Sequence, residues 1–317
     1  MQISQGQRPA MKKILVTGGS GFLGRNLIER LRRDGHTVTC FDRWRAPFLE
    51  ACSATFIEGD MARPHALADA VPGHDAIVHM ACSVVPKSST EDPYFDVVSN
   101  IGGAVNLLEA MRTHQVKRVV FISSGGTVYG RPNRIPIQET SPTNPDCSYG
   151  VTKLAIEKYM RLYTQLYGLS TCSLRVANPY GEYQRVRATQ GAIPVFCYKA
   201  LKGEPINIWG DGSISRDFLY VGDTVDAILA ALERPNVTGE INIGSGKAHS
   251  LNDILQAIEQ VLGHPIARSY TDSRSFDVPI NVLDVTQAKL QLDWAPKVSL
   301  EEGLLRTIQW IRNSEGL

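Results

Sequence analysis

Four glycines set the first constraint. An apolar run, Lys12-Lys13-Ile14-Leu15-Val16, leads into Thr17-Gly18-Gly19-Ser20-Gly21-Phe22-Leu23-Gly24, and an amphipathic stretch from Phe22 to Arg33 ends at Gly35. The run is too short for a helix and reads as a strand buried on both faces. Gly18, Gly21 and Gly24 then stand at G-x-x-G-x-x-G spacing between a strand and a helix. The first glycine permits the tight turn, the second lets backbone approach a pyrophosphate, and the third lets helix pack on strand. The helix N-terminus, opened by Phe22 and Leu23, offers unpaired N–H groups and partial positive charge to the phosphates. Asp42 ends the second apolar run, 24 residues after Gly18. A carboxylate there bonds the adenosine ribose hydroxyls and repels a 2′-phosphate, which favours NAD over NADP. Arg43 and Arg45, beside it, blunt that preference.

The rhythm continues with strand-like runs His36–Phe41, Ala54–Ile57, Ala76–Met80, Arg118–Ile122 and Ser170–Val176, separated by helical patterns such as Ser99–Thr113 and Tyr149–Tyr167. Strands alternating with helices imply an α/β fold of Rossmann type, a doubly wound parallel sheet. After Asn178-Pro179 elements shorten (Pro205–Trp209, Leu251–Leu262, Gly303–Ile311), which suggests a smaller C-terminal α/β region that binds substrate. The expected division is 11–177 for the dinucleotide domain, with 217–245 returning to it, and 178–216 plus 246–317 for the substrate region. Residues 1–10 read as an N-terminal extension.

Composition narrows the class. With 33 basic and 32 acidic residues and no basic block, the chain shows no nucleic-acid or acidic-membrane surface. No apolar run approaches the ~20 residues of a membrane span. The first ten residues are polar and lack a signal-peptide apolar core, so a cytoplasmic location is expected. Six scattered cysteines form no metal-ligand spacing, and no metal site is expected; they read as small buried hydrophobes.

Tyr149-Gly150-Val151-Thr152-Lys153 carries the chemistry. Tyrosine and lysine four apart at a helix start share a face. A phenol of pKa ~10 is a poor base at neutral pH, and lowering it to about 7 takes ~4 kcal/mol. A nearby ammonium, together with the positive ring of an oxidised nicotinamide, is of the right order to supply this.

The glycine loop, Tyr149-x-x-x-Lys153 and Ser123-Ser124-Gly125-Gly126-Thr127-Val128-Tyr129-Gly130 together resemble the extended short-chain dehydrogenase/reductase family, and within it the NAD-dependent nucleotide-sugar epimerases. The resemblance runs from about Lys12 to Trp310 and includes Asn178-Pro179-Tyr180-Gly181, Arg216-Asp217-Phe218-Leu219-Tyr220-Val221-Gly222-Asp223 and Asp284-Val285-Thr286-Gln287-Ala288-Lys289. It implies that Asp60 and Met61 cover the adenine, and that His79, Met80, Ala81 and Asn100 line the cofactor channel, with Ser123 and Val176 beside the cofactor. Lys153 would hold the nicotinamide ribose and Tyr149 would act on the sugar hydroxyl. Asn178, Arg216 and Arg274 would hold the nucleotide diphosphate of a UDP-hexose. It also implies a homodimer, although the stripe Leu154, Tyr159, Leu162 and Leu166 reads by periodicity as core.

Two departures stand out. Gly125 occupies the place of a third catalytic hydroxyl, so Ser124 becomes the nearest candidate, with Ser123 and Thr127 behind it. Gly191 stands where an asparagine often meets the substrate. The sugar-size position falls at Asn281, small enough to admit a 2-acetamido group. Dehydratases of the family need an acid and a base where this chain has Gly126 and Thr127, which leaves the minimal chemistry: remove a hydride at C4, turn the ketone, return the hydride. The expected activity is therefore 4-epimerisation of UDP-hexoses, N-acetylated ones included. A dehydratase, reductase or decarboxylase on a nucleotide sugar is the alternative, and a silent NAD-binding scaffold the remaining one.

Overall fold

The computed structural model describes residues 10–187, 191–272 and 278–317. The strands in chain order are β1 (Lys13–Thr17), β2 (Thr37–Asp42), β3 (Thr55–Glu58), β4 (Ala76–His79), β5 (Arg118–Ser124), β6 (Ser170–Val176), β7 (Asn178–Tyr180), β8 (Ile206–Trp209), β9 (Ser215–Arg216), β10 (Phe218–Tyr220), β11 (Gly239–Ile243), β12 (His249–Ser250), β13 (Arg268–Thr271) and β14 (Ile280–Asn281). The helices are α1 (Phe22–Arg33), α2 (Phe48–Ala51), α3 (Pro64–Ala70), α4 (Pro86–Glu91), α5 (Pro93–Asp96), α6 (Gly102–Thr113), α7 (Ser148–Tyr167), α8 (Ala192–Lys202), α9 (Val221–Glu233), α10 (Leu251–Leu262), α11 (Thr286–Leu292) and α12 (Leu300–Glu315).

Seven parallel strands form one sheet in the order β3–β2–β1–β4–β5–β6–β11. This is a Rossmann fold, and the order reverses between β1 and β4. Helices cover both faces, which is why Ile14, Leu15 and Val16 are all buried. On one face Leu27, Ile28 and Leu31 of α1 pack with Val225, Ile228 and Ala231 of α9. On the other, Leu107 and Met111 of α6 meet Ile156 and Met160 of α7. Helix α1 carries Arg30, Arg32 and Arg33 in its last turn, which complements its dipole. Helix α7 stops at Gly168, whose φ of +67° makes the left-handed cap.

The chain leaves the large sheet after β6 and re-enters it through α9 and β11, which pairs with β6. Between and after these segments a smaller core gathers Ile193, Phe196, Ile206, Ile254, Ile258, Leu304 and Ile308 from α8, β8, α10 and α12. Phe22 and Leu23 pack against that core, so the glycine loop touches both regions. One expected boundary is corrected. Ala288, Leu292 and Trp294 belong to the core of the large sheet, because α11 lies against it rather than on the smaller region. The helix expected from Ser99 begins instead at Gly102, after a π-helical turn over Val97–Ile101. Among the described residues no helix is long and apolar enough to cross a membrane. The cysteines divide: Cys40, Cys172 and Cys197 are buried, Cys52 and Cys147 half-buried, and Cys82 is exposed, contrary to the core role expected for all six.

Candidate functional site

The glycine loop lies at the carboxyl end of β1, beside the point where the strand order reverses. Gly18 has φ +73°, and a Cβ there would stand 2.6 Å from the Ala81 backbone, so only hydrogen fits. Gly24 approaches Gly19 so closely that a Cβ would lie 2.5 Å from its Cα, the close helix–strand packing that its spacing implied. Gly21 differs: a Cβ would meet only the Gly18 carbonyl at 3.4 Å, so its missing side chain leaves room above the loop. It caps α1 without a side-chain hydrogen bond, and the first turn holds no acid. The N–H groups of Phe22 and Leu23 thus head a positive helix end with no competing carboxylate. At the tip of β2 the Asp42 carboxylate accepts from Ser20 N at 3.0 Å and Arg43 N at 2.7 Å, which fixes it over the loop. Met80 N donates to Thr17 O at 3.2 Å, and Ala81 N reaches Thr17 Oγ1 at 3.4 Å. This cradle, with an open helix end and an acid at the second strand, fits a dinucleotide.

The remaining cofactor residues fall into two groups. Asp60 turns back to accept from Ala62 N at 2.9 Å at the end of β3. Met61 is buried, with its carbonyl receiving Asn106 Nδ2 at 3.1 Å. Asn100 sits in the π-helical turn, where its side chain accepts from Ser83 N and donates to Asp96, both at 2.9 Å. His79 and Ser123, by contrast, turn into the protein. His79 shares a 2.8 Å hydrogen bond with Thr17 and stacks on Phe121. Burial, with the nearby Lys153 charge, pushes its pKa down to about 3. It is a neutral core histidine rather than a lining of the channel. Ser123 is buried and donates to Glu157 Oε1 at 2.5 Å, because alternate residues of β5 face opposite sides and its side is that of α7. Val176 is buried as well; its carbonyl receives Gly125 N at 2.9 Å and so shapes the loop after β5.

Tyr149 and Lys153 occupy the first turns of α7. Lys153 is buried and donates to the Ile122 carbonyl at 2.8 Å, with Nζ 5.5 Å from the Tyr149 ring centre. Burial pushes the Tyr149 phenol well above its ordinary value, and the neighbouring Cys82, Cys147 and Asp96 raise it further. Within the protein alone Tyr149 is a neutral acid. Its position is fixed from below: Tyr149 N donates to the buried Ser89 Oγ at 2.9 Å, and Ser148 Oγ donates to Asp96 at 2.7 Å. Ser124, at the end of β5, faces the opposite side from Ser123, with its Oγ turned toward Gly126. Thr127 Oγ1 is buried with no hydrogen-bond partner.

The structure also explains Gly125. A Cβ there would stand 2.5 Å from Leu283 Cδ1 and 3.0 Å from the Arg175 carbonyl, so Leu283 fills the place of the missing side chain. Gly125 also touches the sugar-size position: Asn281, almost fully buried, donates through Nδ2 to the Gly125 carbonyl at 3.3 Å, and its Oδ1 has no partner. Asn281 pairs in register with Arg216 across β14 and β9. Arg216 Nη1 donates to Val278 O at 2.6 Å and Ser215 O at 2.9 Å. Asn178 lies on β7, beside β10. Gly191, with φ +91°, begins α8. Arg274 lies outside the described residues, as does most of the N-terminal extension.

Sequence reasoning missed the supports. Glu157 and Arg175 form a buried two-bond ion pair at 2.7 and 3.0 Å beneath β5, and Arg175 reaches Tyr129 OH at 2.9 Å. Glu157 stands one helical turn beyond Lys153 on the same face, a signal available in the spacing. Ser89 and Asp96 lie on short helices that had no periodic signature.

A doubly wound sheet, an open glycine cradle at its switch point and a Tyr–Lys pair at the same edge define a dinucleotide-dependent enzyme of the short-chain dehydrogenase/reductase type. Residues 14–244 match the NAD dependent epimerase/dehydratase family. The chain is 35% identical to a UDP-glucose 4-epimerase of Mycolicibacterium smegmatis, covering 95% of this chain and 99% of that one. Its fold is similar to UDP-glucose 4-epimerase from Thermotoga maritima with UDP-glucose (TM-score 0.91, 33% identity, 96% and 99% covered). It is similar also to UDP-N-acetylglucosamine 4-epimerase from Methanobrevibacter ruminantium in complex with UDP-N-acetylmuramic acid (TM-score 0.90, 28% identity, 96% and 99% covered). The chain belongs to the NAD dependent epimerase/dehydratase family; it is an isomerase of the epimerase type, and its cofactor is NAD.

Proposed function

We propose that the protein interconverts a UDP-hexose and its C4 epimer, with UDP-glucose and UDP-N-acetylglucosamine both accepted. One observation carries this reading. Tyr149 and Lys153 open α7, Lys153 is tied to Ile122 O of β5, and the chain beyond Ser124 at the end of that strand reads Gly125-Gly126-Thr127, with no acid–base pair to expel water. Asp96, the carboxylate near Tyr149, is buried and bonded to Ser148 and Asn100. NAD, when bound, supplies the hydride acceptor and donor and a positively charged nicotinamide ring.

The chain's own residues do the rest. Gly18, Gly21, Gly24 and the first turn of α1 receive the pyrophosphate, and Asp42 receives the adenosine ribose. Lys153 is held in the wall by Ile122 O and adds positive charge beside the phenol. The Tyr149 oxygen takes the proton of the sugar C4 hydroxyl and later returns it. Ser124 orients that hydroxyl in place of the residue missing at Gly125. Asn178 and Arg216 hold the diphosphate, so that the tether is at the nucleotide and the 4-keto ring is free to turn. Asn281 is short and drawn back against Gly125, which leaves space for a 2-acetamido group.

The exposed apolar residues Val151, Tyr159, Leu162 and Leu166 of α7, near Tyr94, Phe95, Val97 and Val98, support a homodimer. The stripe read by periodicity as core is, past Leu154, largely at the surface. Incubation with UDP-glucose, UDP-N-acetylglucosamine and UDP-glucuronate separately, followed by proton NMR of the sugar, tests the function. The expected product is the C4 epimer with no net NADH. An accumulating 4-keto, dehydrated or decarboxylated product would replace the reading with a dehydratase, reductase or decarboxylase.

A further inference from the structure

We infer that Asp217 is the positioning residue that assembles the substrate side of the site, an inference that rests on the function proposed above. Asp217 is fully buried. Its Oδ1 accepts from Ser245 N at 2.7 Å and Ser245 Oγ at 2.6 Å, and its Oδ2 from Gly246 N at 3.2 Å and Leu283 N at 3.3 Å. Gly244 has no room for a Cβ because the carboxylate occupies that space. A buried carboxylate is a costly way to join loops, since burial penalises its charge and well-packed apolar groups often serve stability better.

What distinguishes this one is what its backbone holds. Asp217 N donates to the Asn281 carbonyl at 3.0 Å. Its own carbonyl accepts both Asn178 N at 2.9 Å and Asn178 Nδ2 at 3.0 Å. Arg216 precedes it and lies in register between His249 and Asn281. Every described polar residue assigned to the sugar nucleotide outside the catalytic trio is thus bonded to Asp217 or adjacent to it. Through Leu283 N the same carboxylate seats the side chain that fills the space beside Gly125. Asp217 therefore acts through its neighbours, on the diphosphate and sugar side, and makes no bond to the glycine loop.

The test is Asp217→Asn in the full-length holoenzyme. An amide turns one acceptor into a donor, so the donors on one side of the carboxylate lose their partner. Losing hydrogen bonds to a charged group corresponds to about 10-fold to 100-fold in affinity. The expected result is a KM for UDP-glucose raised by about that factor, with kcat within about threefold and NAD content unchanged. The dissociation constant of UDP alone, by calorimetry, should rise in parallel. That readout needs no turnover, so it separates failure of this inference from failure of the epimerase reading: an inactive wild type whose UDP affinity still depends on Asp217 sinks only the latter. Unchanged KM and UDP affinity overturn the inference, and so does a joint loss of NAD content and kcat. Ser245→Ala removes a single donor and keeps the backbone; about threefold in KM is expected. If Asp217→Asn does not fold, an unchanged KM in Ser245→Ala overturns the inference.

Discussion

Putting a hydroxyl back at position 125 should destabilise the enzyme, and trimming Leu283 should then cost much less than it costs in the wild type. A Cβ on Gly125 would lie 2.5 Å from Leu283 Cδ1, 3.0 Å from Cδ2 and 3.0 Å from the Arg175 carbonyl. Leu283 is fully buried, and the carbonyl belongs to β6, so neither side yields freely. Forcing extra atoms into a packed site costs ~1–3 kcal/mol; two contacts on Leu283 and one on backbone place Gly125→Ser at about 3 kcal/mol on that scale. Leu283→Ala alone costs about 3 kcal/mol through lost burial and a cavity. In the double variant the serine enters that cavity, and the clash with both Cδ atoms disappears while the tight approach to the Arg175 carbonyl persists. The double variant should therefore lose about 2 kcal/mol less than the sum of the two single losses. Urea unfolding of the NAD-saturated enzyme, compared only where m-values agree, measures this. Additivity within ~0.5 kcal/mol would show that Leu283 is not what excludes a side chain at 125.

Gly18→Ala, at φ +73° and 2.6 Å from the Ala81 backbone, should leave the purified protein without NAD, read by absorbance and mass; retained NAD refutes the cradle. Tyr149→Phe should keep NAD and lose at least ~10³-fold in kcat, on the scale of removing a general acid–base group; near-native turnover removes Tyr149 from its role. Asn281→Tyr should cut the rate on UDP-N-acetylglucosamine about tenfold or more while sparing UDP-glucose, the scale of a steric exclusion in a pocket; equal effects on both refute the size argument. His79 has its pKa pushed from 6.5 to about 3, so the unfolded chain binds a proton in that window that the folded one does not. Its contribution is present above pH 6.5 and is lost as pH falls toward 3, by about 1.4 kcal/mol per pH unit. The stability advantage of wild type over His79→Asn should accordingly shrink between pH 6.5 and 4.5; a constant difference across that range refutes the assignment.

The large sheet was legible because its signals are local. Ile14–Val16 and Val119–Ile122 are short apolar runs between turns, and the glycines of the first loop stand between a strand pattern and a helix pattern at a spacing that suits a strand–turn–helix. What resisted reading was held by contacts remote in sequence. The π-helical turn at Val97–Ile101 exists where Asn100 bonds Asp96 and Ser83, and no periodicity announces it. Helix α11, expected in the smaller region, packs through Ala288 and Leu292, with Trp294 just beyond it, on the core of the large sheet. Ser123 and Ser124 are indistinguishable as letters, yet a pleat puts one hydroxyl on Glu157 and the other toward the loop.

The Tyr149–Lys153 pair shows where spacing stops and environment begins. Four residues along a helix bring the two side chains to one face, but the hydrogen bond that fixes Lys153 goes to Ile122 O and leaves its Nζ 5.5 Å from the phenol ring centre. At that separation burial dominates, and Tyr149 stays protonated. A neutral, half-buried phenol beside a buried ammonium is a site that a further positive charge would move toward the phenolate. The family's cofactor carries that charge in its oxidised ring and loses it on reduction. Under the proposed function, Tyr149 would be a base when a proton must leave C4 and an acid when one must return, with the switch set by the redox state beside it rather than by bulk pH. The pH profile of kcat follows from this: it should break at the Tyr149 value in the NAD complex, well below the value of the same phenol in protein stripped of NAD, followed by its ultraviolet ionisation band. Equal values in the two forms would return the task of activating Tyr149 to Lys153 alone.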